Sequence, residues 1–498
     1  MDEDVRSAGA TAPEGHQVGV TIVARAARYT AMAQVVSQGV RFGANIVLAR
    51  LLLPADFGVV AIALVVVAFL DQLRDLGTGS ALIQRPQADQ VLRNSVFALN
   101  LGMGLLLGAG MFFLAEPLAS GLGNPQSTGV LQAFAGIAVI SSLGQIHHSL
   151  LRRDLRFGEL AVSTTVAAVV TAAVSITGAA LGMSYWALVL GVAVGESVDT
   201  AFVWWFDRWR PTRTISAASL GSIWGYSRNL FLSNMLFFFF NQVDKLIISR
   251  FLGAAPLGLY TMAKSTALAP VSSVSSVVAE VTFPAFSRRQ SDNVALRSGY
   301  LRSSQVVALV TFPALFGLAA VAEPLIHVLL GEKWVDAVPI VVWLAPAAAV
   351  QSVVGSSAQL LLAKGRSDWS YRWGLVYTVV LTGLTLLAVQ WGIVAVAAAY
   401  TIGNLVLAPF GLMLAFHHIE MRLRDFLRGL LPHVLLTAVM TAAVVGATTL
   451  VRGAGASWLV ELVVGVAVGL VVFGGLVLLV KPPGLAAATS LVRRKVHG

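Results

Sequence analysis

Apolar residues fill the chain in long stretches separated by short polar or basic segments, and each stretch can cross about 30 Å of hydrocarbon as a helix. The pattern predicts spans near 26–49, 58–82, 94–115, 128–150, 160–182, 185–206, 224–249 and 258–284. Six more are predicted near 303–330, 337–363, 372–391, 393–416, 431–451 and 457–480. About fourteen transmembrane helices are expected, and the close pairs within 160–206 and 372–416 leave that count open by one. No loop exceeds roughly 20 residues, too short for an independent catalytic domain.

The pattern repeats. ARLLLPADFGVVAIA at 49–63 and SRFLGAAPLGLYTMA at 249–263 lie 200 residues apart and share Arg50/Arg250, Leu52/Leu252, Ala55/Ala255, Gly58/Gly258 and Ala63/Ala263. Ala115-Glu116-Pro117-Leu118 recurs as Ala322-Glu323-Pro324-Leu325 after the same number of apolar segments. Each repeat holds six spans, so both begin on the same side of the membrane and are parallel repeats about an axis near its normal. The expected fold is therefore an all-α polytopic membrane protein of two six-helix lobes, 22–215 and 216–418, related by pseudo-two-fold symmetry. Two extra C-terminal helices and a basic tail follow over 419–498.

Composition agrees, since the 498 residues are 57% hydrophobic and only 12% charged, with a mean hydropathy of +0.80, which excludes an ordinary soluble protein. Twenty-five of the thirty-four Lys and Arg fall in the tails, loops and span ends of one side, and only Arg50, Arg250, Lys333 and Arg452 on the other. Positive charge favours the cytoplasm, so both termini are expected there, in a bacterial cytoplasmic membrane. The net charge of +10 is then a topology signal and implies no nucleic-acid partner. Residues 1–21 are polar, lack the apolar core of a signal peptide and are expected to form a disordered cytoplasmic tail. Zero cysteines leave no disulfide or thiolate metal site, and no cofactor is expected. Aromatic pairs such as Trp204 and Trp205 are expected in a headgroup belt.

Charges inside spans are costly and are functional candidates by default. Asp71, Arg74 and Asp75 stand at i, i+3 and i+4, on one helical face; Arg74 lies about 24 Å from Gly58 along the axis, in the cytoplasmic half. Two readings stay open: a self-neutralised cluster fastening the span to its neighbours, or a cavity cation held by two acids. Arg41 and Asn45 occupy the positions of Asn241 and Lys245 in the second repeat, one cation and one amide exchanged between matched sites. With Lys264 and Asp244 they would line a central cavity suited to a phosphate or diphosphate, unless Lys245 and Lys264 snorkel outward or pair with Asp244. Arg50 and Arg250 are expected to cap helix C-termini or order the Pro54 and Pro256 turns. Glu196, Asp199 and Glu280 are candidate proton or cation sites, or paired structural acids. His147 and His148 are expected at the interface, with too few partners for a metal site.

The ARLLLPADFG and SRFLGAAPLGLY turns, the LRDLGTGSALIQR stretch at 73–85 and the two-half layout resemble the polysaccharide transporters of the multidrug/oligosaccharidyl-lipid/polysaccharide superfamily, close to Wzx-type flippases. The resemblance covers about residues 22–480 and implies two lobes around a cavity that alternate between inward- and outward-open states. It implies a substrate, an undecaprenyl-diphosphate-linked oligosaccharide carried across the cytoplasmic membrane, with cationic cavity residues engaging its diphosphate or acidic sugars. Membrane lipids and polysaccharide polymerase machinery are the implied partners. Arg50, Gly58, Arg250, Gly258 and the stretch from Arg74 to Gly77 match the family turns. No GxxxxGK[ST] is present, so energy would come from an ion gradient, membrane potential or product removal. A cation-coupled drug exporter of the same superfamily would favour an acidic or aromatic cavity. A membrane-bound polysaccharide polymerase would carry a long external catalytic loop, so the chain is expected not to be an enzyme.

Overall fold

The structure, a computed structural model, describes residues 14–84 and 89–485, with side chains left undescribed in parts of the first, ninth and tenth helices and at a few single positions. The described residues form eighteen α-helices and no strand. They are α1 (Glu14–Leu51), α2 (Pro54–Asp75), α3 (Thr78–Gln84), α4 (Gln90–Phe113), α5 (Ala115–Gly121) and α6 (Thr128–Arg153). Next come α7 (Phe157–Ala180), α8 (Tyr185–Phe206), α9 (Ala217–Leu252), α10 (Ala254–Arg288), α11 (Asn293–Ala320) and α12 (Ala322–Leu329). The chain ends in α13 (Val338–Val354), α14 (Ser356–Ala363), α15 (Ser367–Ala388), α16 (Ile393–His417), α17 (Leu423–Gly453) and α18 (Trp458–Val480).

Most predicted spans fall on a single long helix, but three run over a break into a short one: 58–82 passes from α2 into α3 where Leu76 and Gly77 take positive φ, 303–330 from α11 into α12, and 337–363 from α13 into α14. Eleven spans among the described residues are long and apolar enough to cross a membrane; the other predicted spans lie on α1, α9 and α10, which are 38, 36 and 35 residues long. Residues 1–13 and Arg493, Arg494 and Lys495 of the basic tail lie outside the described residues, and α1 opens at Glu14, ahead of the first predicted span. The apolar surface confirms the solvent: Leu470, Leu478 and Leu479 of α18 are 71%, 72% and 82% exposed, tolerable only against lipid.

Local sequence sets the helix ends. Asp89 caps α4 by accepting from the Leu92 N–H at 2.9 Å, and Asp292 caps α11 by accepting from Ala295 at 2.9 Å. Pro54 opens α2, where its missing N–H costs nothing. The second echo is equally local, because Ala115-Glu116-Pro117 opens α5 and Ala322-Glu323-Pro324 opens α12, each a short helix following a long one.

The chain divides into two compact units, the first built from 1–51, 66–117 and 128–235 and the second from 52–65, 118–127 and 236–498. In the first, α1 packs on α7, α7 on α8, and α6 on α4 and α8. Small residues let these helices approach: a Cβ on Gly191 or Gly195 of α8 would lie 1.9 Å from the hydroxyl of Ser175 or Thr171 on α7. In the second unit α11 and α13 pack on each other and on α10, α16 packs on α13 and α15, and α17 packs on α11 and α18. The aromatic rings of Tyr300, Phe416 and Phe426 meet in its core with centroids 5.2–5.6 Å apart.

The duplicated turns touch each other inside the second unit. A Cβ on Gly58 would fall 1.8 Å from the Ala254 carbonyl oxygen, and one on Gly258 would fall 1.9 Å from the Pro54 carbonyl oxygen. Residues 54 and 58 thus meet 258 and 254 reciprocally, the mark of a two-fold contact. The shared glycines are there because only a missing side chain admits that approach.

Candidate functional site

Two polar clusters lie among the helices, one in each unit. In the first, Arg74 is only 5% exposed and pairs with Asp71, one turn earlier on α2, at 3.0 Å. Its Nη1 donates to the Ala138 carbonyl at 2.8 Å and to Ser142 Oγ at 3.2 Å, both on α6. The Asp75 side chain lies outside the described residues. One charge therefore both fastens α2 to α6 and borders open space.

That space is a cavity of about 400 Å³ walled by α2, α6 and α8. From α6 it receives Ser141, Gln145, His148, Ser149 and Arg152, spaced i, i+4, i+7, i+8 and i+11, a single polar stripe on an apolar helix. From α8 it receives Glu196, Asp199 and Thr200, again one face. Glu196 accepts from Ser141 Oγ at 2.9 Å. Asp199 pairs with His148 Nε2 at 2.8 Å and accepts from Ser163 of α7. Arg41 of α1 is exposed, and Asn45, one turn on, is exposed as well. His148 faces this cavity, while its neighbour His147 is fully buried, 2.7 Å from Asp207 and against the Trp204 ring at 4.5 Å. Trp204, Trp209 and Asp207 enclose it, which makes His147 a packed residue of the first unit.

In the second unit, Asp244 of α9 forms an ion pair with Lys264 of α10 and accepts from Tyr260 Oη at 2.8 Å. The Lys264 ammonium lies 5.0 Å from the ring centroid of Tyr400 and 5.4 Å from that of Tyr260, each face adding cation–π attraction. Beyond it, Gln351 donates to Tyr400 Oη at 2.8 Å and to Asn404 Oδ1 at 2.9 Å, and Tyr377 Oη donates to the same Asn404 oxygen at 2.5 Å. Helices α9, α10, α13, α15 and α16 meet in this network. Of the alternatives left open by the sequence, Lys264 takes the pairing with Asp244. Lys245 is half-buried and makes no ion pair among the described residues. The side chains of Asn241 and Glu280 lie outside the described residues. Arg50 and Arg250 sit exposed in the last turns of α1 and α9, where a cation meets the negative end of the helix dipole.

The neutral members of the α6 stripe and the Gln351, Tyr377, Tyr400 and Asn404 group escaped the sequence reading, which weighed charges, histidines and the two amides Asn45 and Asn241 that match in the repeat. The spacing of polar positions in 141–152 was the available signal. The Gln351 network has none, since its members come from three helices far apart in sequence.

Fold and polar clusters together define an all-helical protein of membrane-spanning length that gathers charged and polar side chains between apolar helices. The fold is similar to that of the lipid II flippase MurJ in an inward closed conformation, with a TM-score of 0.70 at 14% identity over 89% of this chain and 97% of that one. It is also similar to an inward-facing multidrug resistance MATE family transporter, with a TM-score of 0.60 at 17% identity over 78% and 98% of the two chains. The chain belongs to the polysaccharide biosynthesis protein family, whose profile matches residues 47–339. Among its relatives, the succinoglycan biosynthesis transport protein ExoT of Rhizobium meliloti is 30% identical over 74% of each chain. The lipopolysaccharide biosynthesis protein WzxC of Escherichia coli is 26% identical over 78% of this chain and 79% of that one. The teichuronic acid biosynthesis protein TuaB of Bacillus subtilis is 28% identical over 75% and 78%.

Proposed function

We propose that the chain is a flippase that carries a polyprenyl-diphosphate-linked oligosaccharide, the precursor of a surface polysaccharide, across a bacterial cytoplasmic membrane. The observation that carries the reading is a roomy, charged cavity inside an otherwise apolar helical protein of this family. A diphosphate-bearing head group cannot enter hydrocarbon unaided, so its carrier must supply polar space within the bilayer. The work is transport without bond chemistry, by alternating access of lobes that follow the repeat, 22–215 and 216–418, with 419–498 appended.

Arg41, Asn45, Arg74, Asn241, Lys245 and Lys264 are the groups assigned to the cargo. Arg74 and Lys264 are already neutralised by Asp71 and Asp244, so the diphosphate role falls first on Arg41 and Lys245. Changing both to Ala should cut export at least about tenfold, as expected for lost charge-assisted contacts, while membrane levels stay normal. Unchanged surface polymer from that double variant would sink the diphosphate assignment. Deleting the gene should leave the lipid-linked oligosaccharide on the cytoplasmic leaflet; unaltered lipid pools would sink the flippase reading itself. Both termini are assigned to the cytoplasm, so a cysteine replacing exposed Ser120 should react with an impermeant maleimide outside, and one replacing exposed Asp154 should not.

A further inference from the structure

Every side chain lining the cavity of the first unit is polar or charged, an unusual wall for a pocket, since small-molecule sites are mostly apolar with few polar groups. Each of its acids also has a partner or faces a donor. Asp71 is paired with Arg74, Asp199 with His148, and Glu196 holds a serine hydroxyl while Arg152 stands across the same space. A diphosphate offers acceptors only and needs a surplus of donors, which this wall lacks. An organic cation needs free carboxylates or aromatic faces, but Asp71 and Asp199 are already paired, Glu196 already holds Ser141, and His148 is the sole ring among the lining residues. A sugar hydroxyl donates and accepts at once, and so does this wall, through carboxylate and hydroxyl oxygens on one hand and guanidinium and side-chain amide N–H groups on the other; Ser141, Ser149 and Thr200 already donate within the protein and are left as acceptors. One donor in the wall is still uncommitted: Arg74 Nε is buried without a hydrogen-bond partner.

We propose that the cavity walled by α2, α6 and α8 is a subsite for the uncharged, hydroxyl-rich part of the cargo, one or two neutral sugar rings of the head group. It is distinct from the cations Arg41 and Lys245, to which the diphosphate is assigned. A volume of about 400 Å³ lies in the range of small-ligand sites. The α6 stripe supplies the hydrogen-bonding ruler, with Gln145 and Ser149 spaced one turn apart between the charged ends of the cavity. The inference rests on the flippase reading and adds to it where the sugar is held and which sugars fit: neutral rings are accepted, and strongly acidic ones are disfavoured by Asp71, Glu196 and Asp199.

The test uses the full chain in nanodiscs and two probes: the lipid-linked oligosaccharide that accumulates when the gene is deleted from its host, and bare undecaprenyl diphosphate. Gln145→Leu and Thr200→Val keep side-chain size while removing polar atoms. Each should weaken binding of the oligosaccharide lipid about tenfold, the effect of losing a hydrogen bond to a polar ligand, and leave the bare diphosphate lipid within about twofold, which also reports that the variants fold. Equal affinity of wild type and both variants for the oligosaccharide lipid, or equal losses for both lipids, would overturn the subsite. If deletion accumulates no such lipid and the wild type binds neither probe, the flippase reading falls with it.

Discussion

The two units each bury an acid–base pair within the helices, yet they surround it differently. Around Asp71 and Arg74 the first unit leaves a cavity, and the Asp71 side chain keeps 40% of its exposure. Around Asp244 and Lys264 the second unit closes two tyrosine rings, and the side chains are 10% and 15% exposed. A buried charge is therefore not by itself a binding site. What decides is whether the neighbours leave room: serines, glutamines and a threonine in one case, aromatic rings in the other.

The contrast can be broken by experiment, beginning where the loss should be largest. Lys264→Met strands the Asp244 carboxylate in a dry site and should cost about 3–5 kcal/mol, the usual penalty for removing one partner of a buried pair. Adding Asp244→Asn should restore much of it, and a double-mutant cycle on thermal unfolding of the detergent-solubilised chain would show the coupling. Gly258→Ala drives a methyl into the Pro54 carbonyl and should cost about 1–3 kcal/mol by overpacking, read as a lower melting temperature; an unshifted melt would mean the duplicated turns do not touch. Asp71→Asn should cost less than Lys264→Met, because the buried Arg74 keeps its bonds to the Ala138 carbonyl and Ser142 and lines a cavity wide enough for water. A loss as large as that of Lys264→Met would show the cavity to be dry and erase the distinction.

Much of this was legible beforehand. Apolar run length placed most spans on a long helix, because in a bilayer a helix satisfies its own backbone, but it ran through the breaks between α2 and α3, α11 and α12, and α13 and α14, where the joining residues are themselves apolar or small. Arg50, Gly58, Arg250 and Gly258 disclosed the duplication, and Asp71 with Arg74 was readable from i, i+3 spacing alone. The pairing of Lys264 with Asp244 was readable only as one of two options, since nothing in a sequence fixes which way a long side chain turns. The Gln145 and Ser149 wall was in principle visible as a stripe, but neutral polar residues in a span are common and their face has meaning only once a neighbouring helix is in place. The Tyr377, Tyr400 and Asn404 network depends on helix pairing that local pattern does not encode.

The reciprocal glycine contact has a mechanical side. Helix α2 meets α10 at Gly58 with no side chain between them. Such a joint has no layer of flexible atoms to absorb a change of angle, so a tilt of one helix there must be matched by the other.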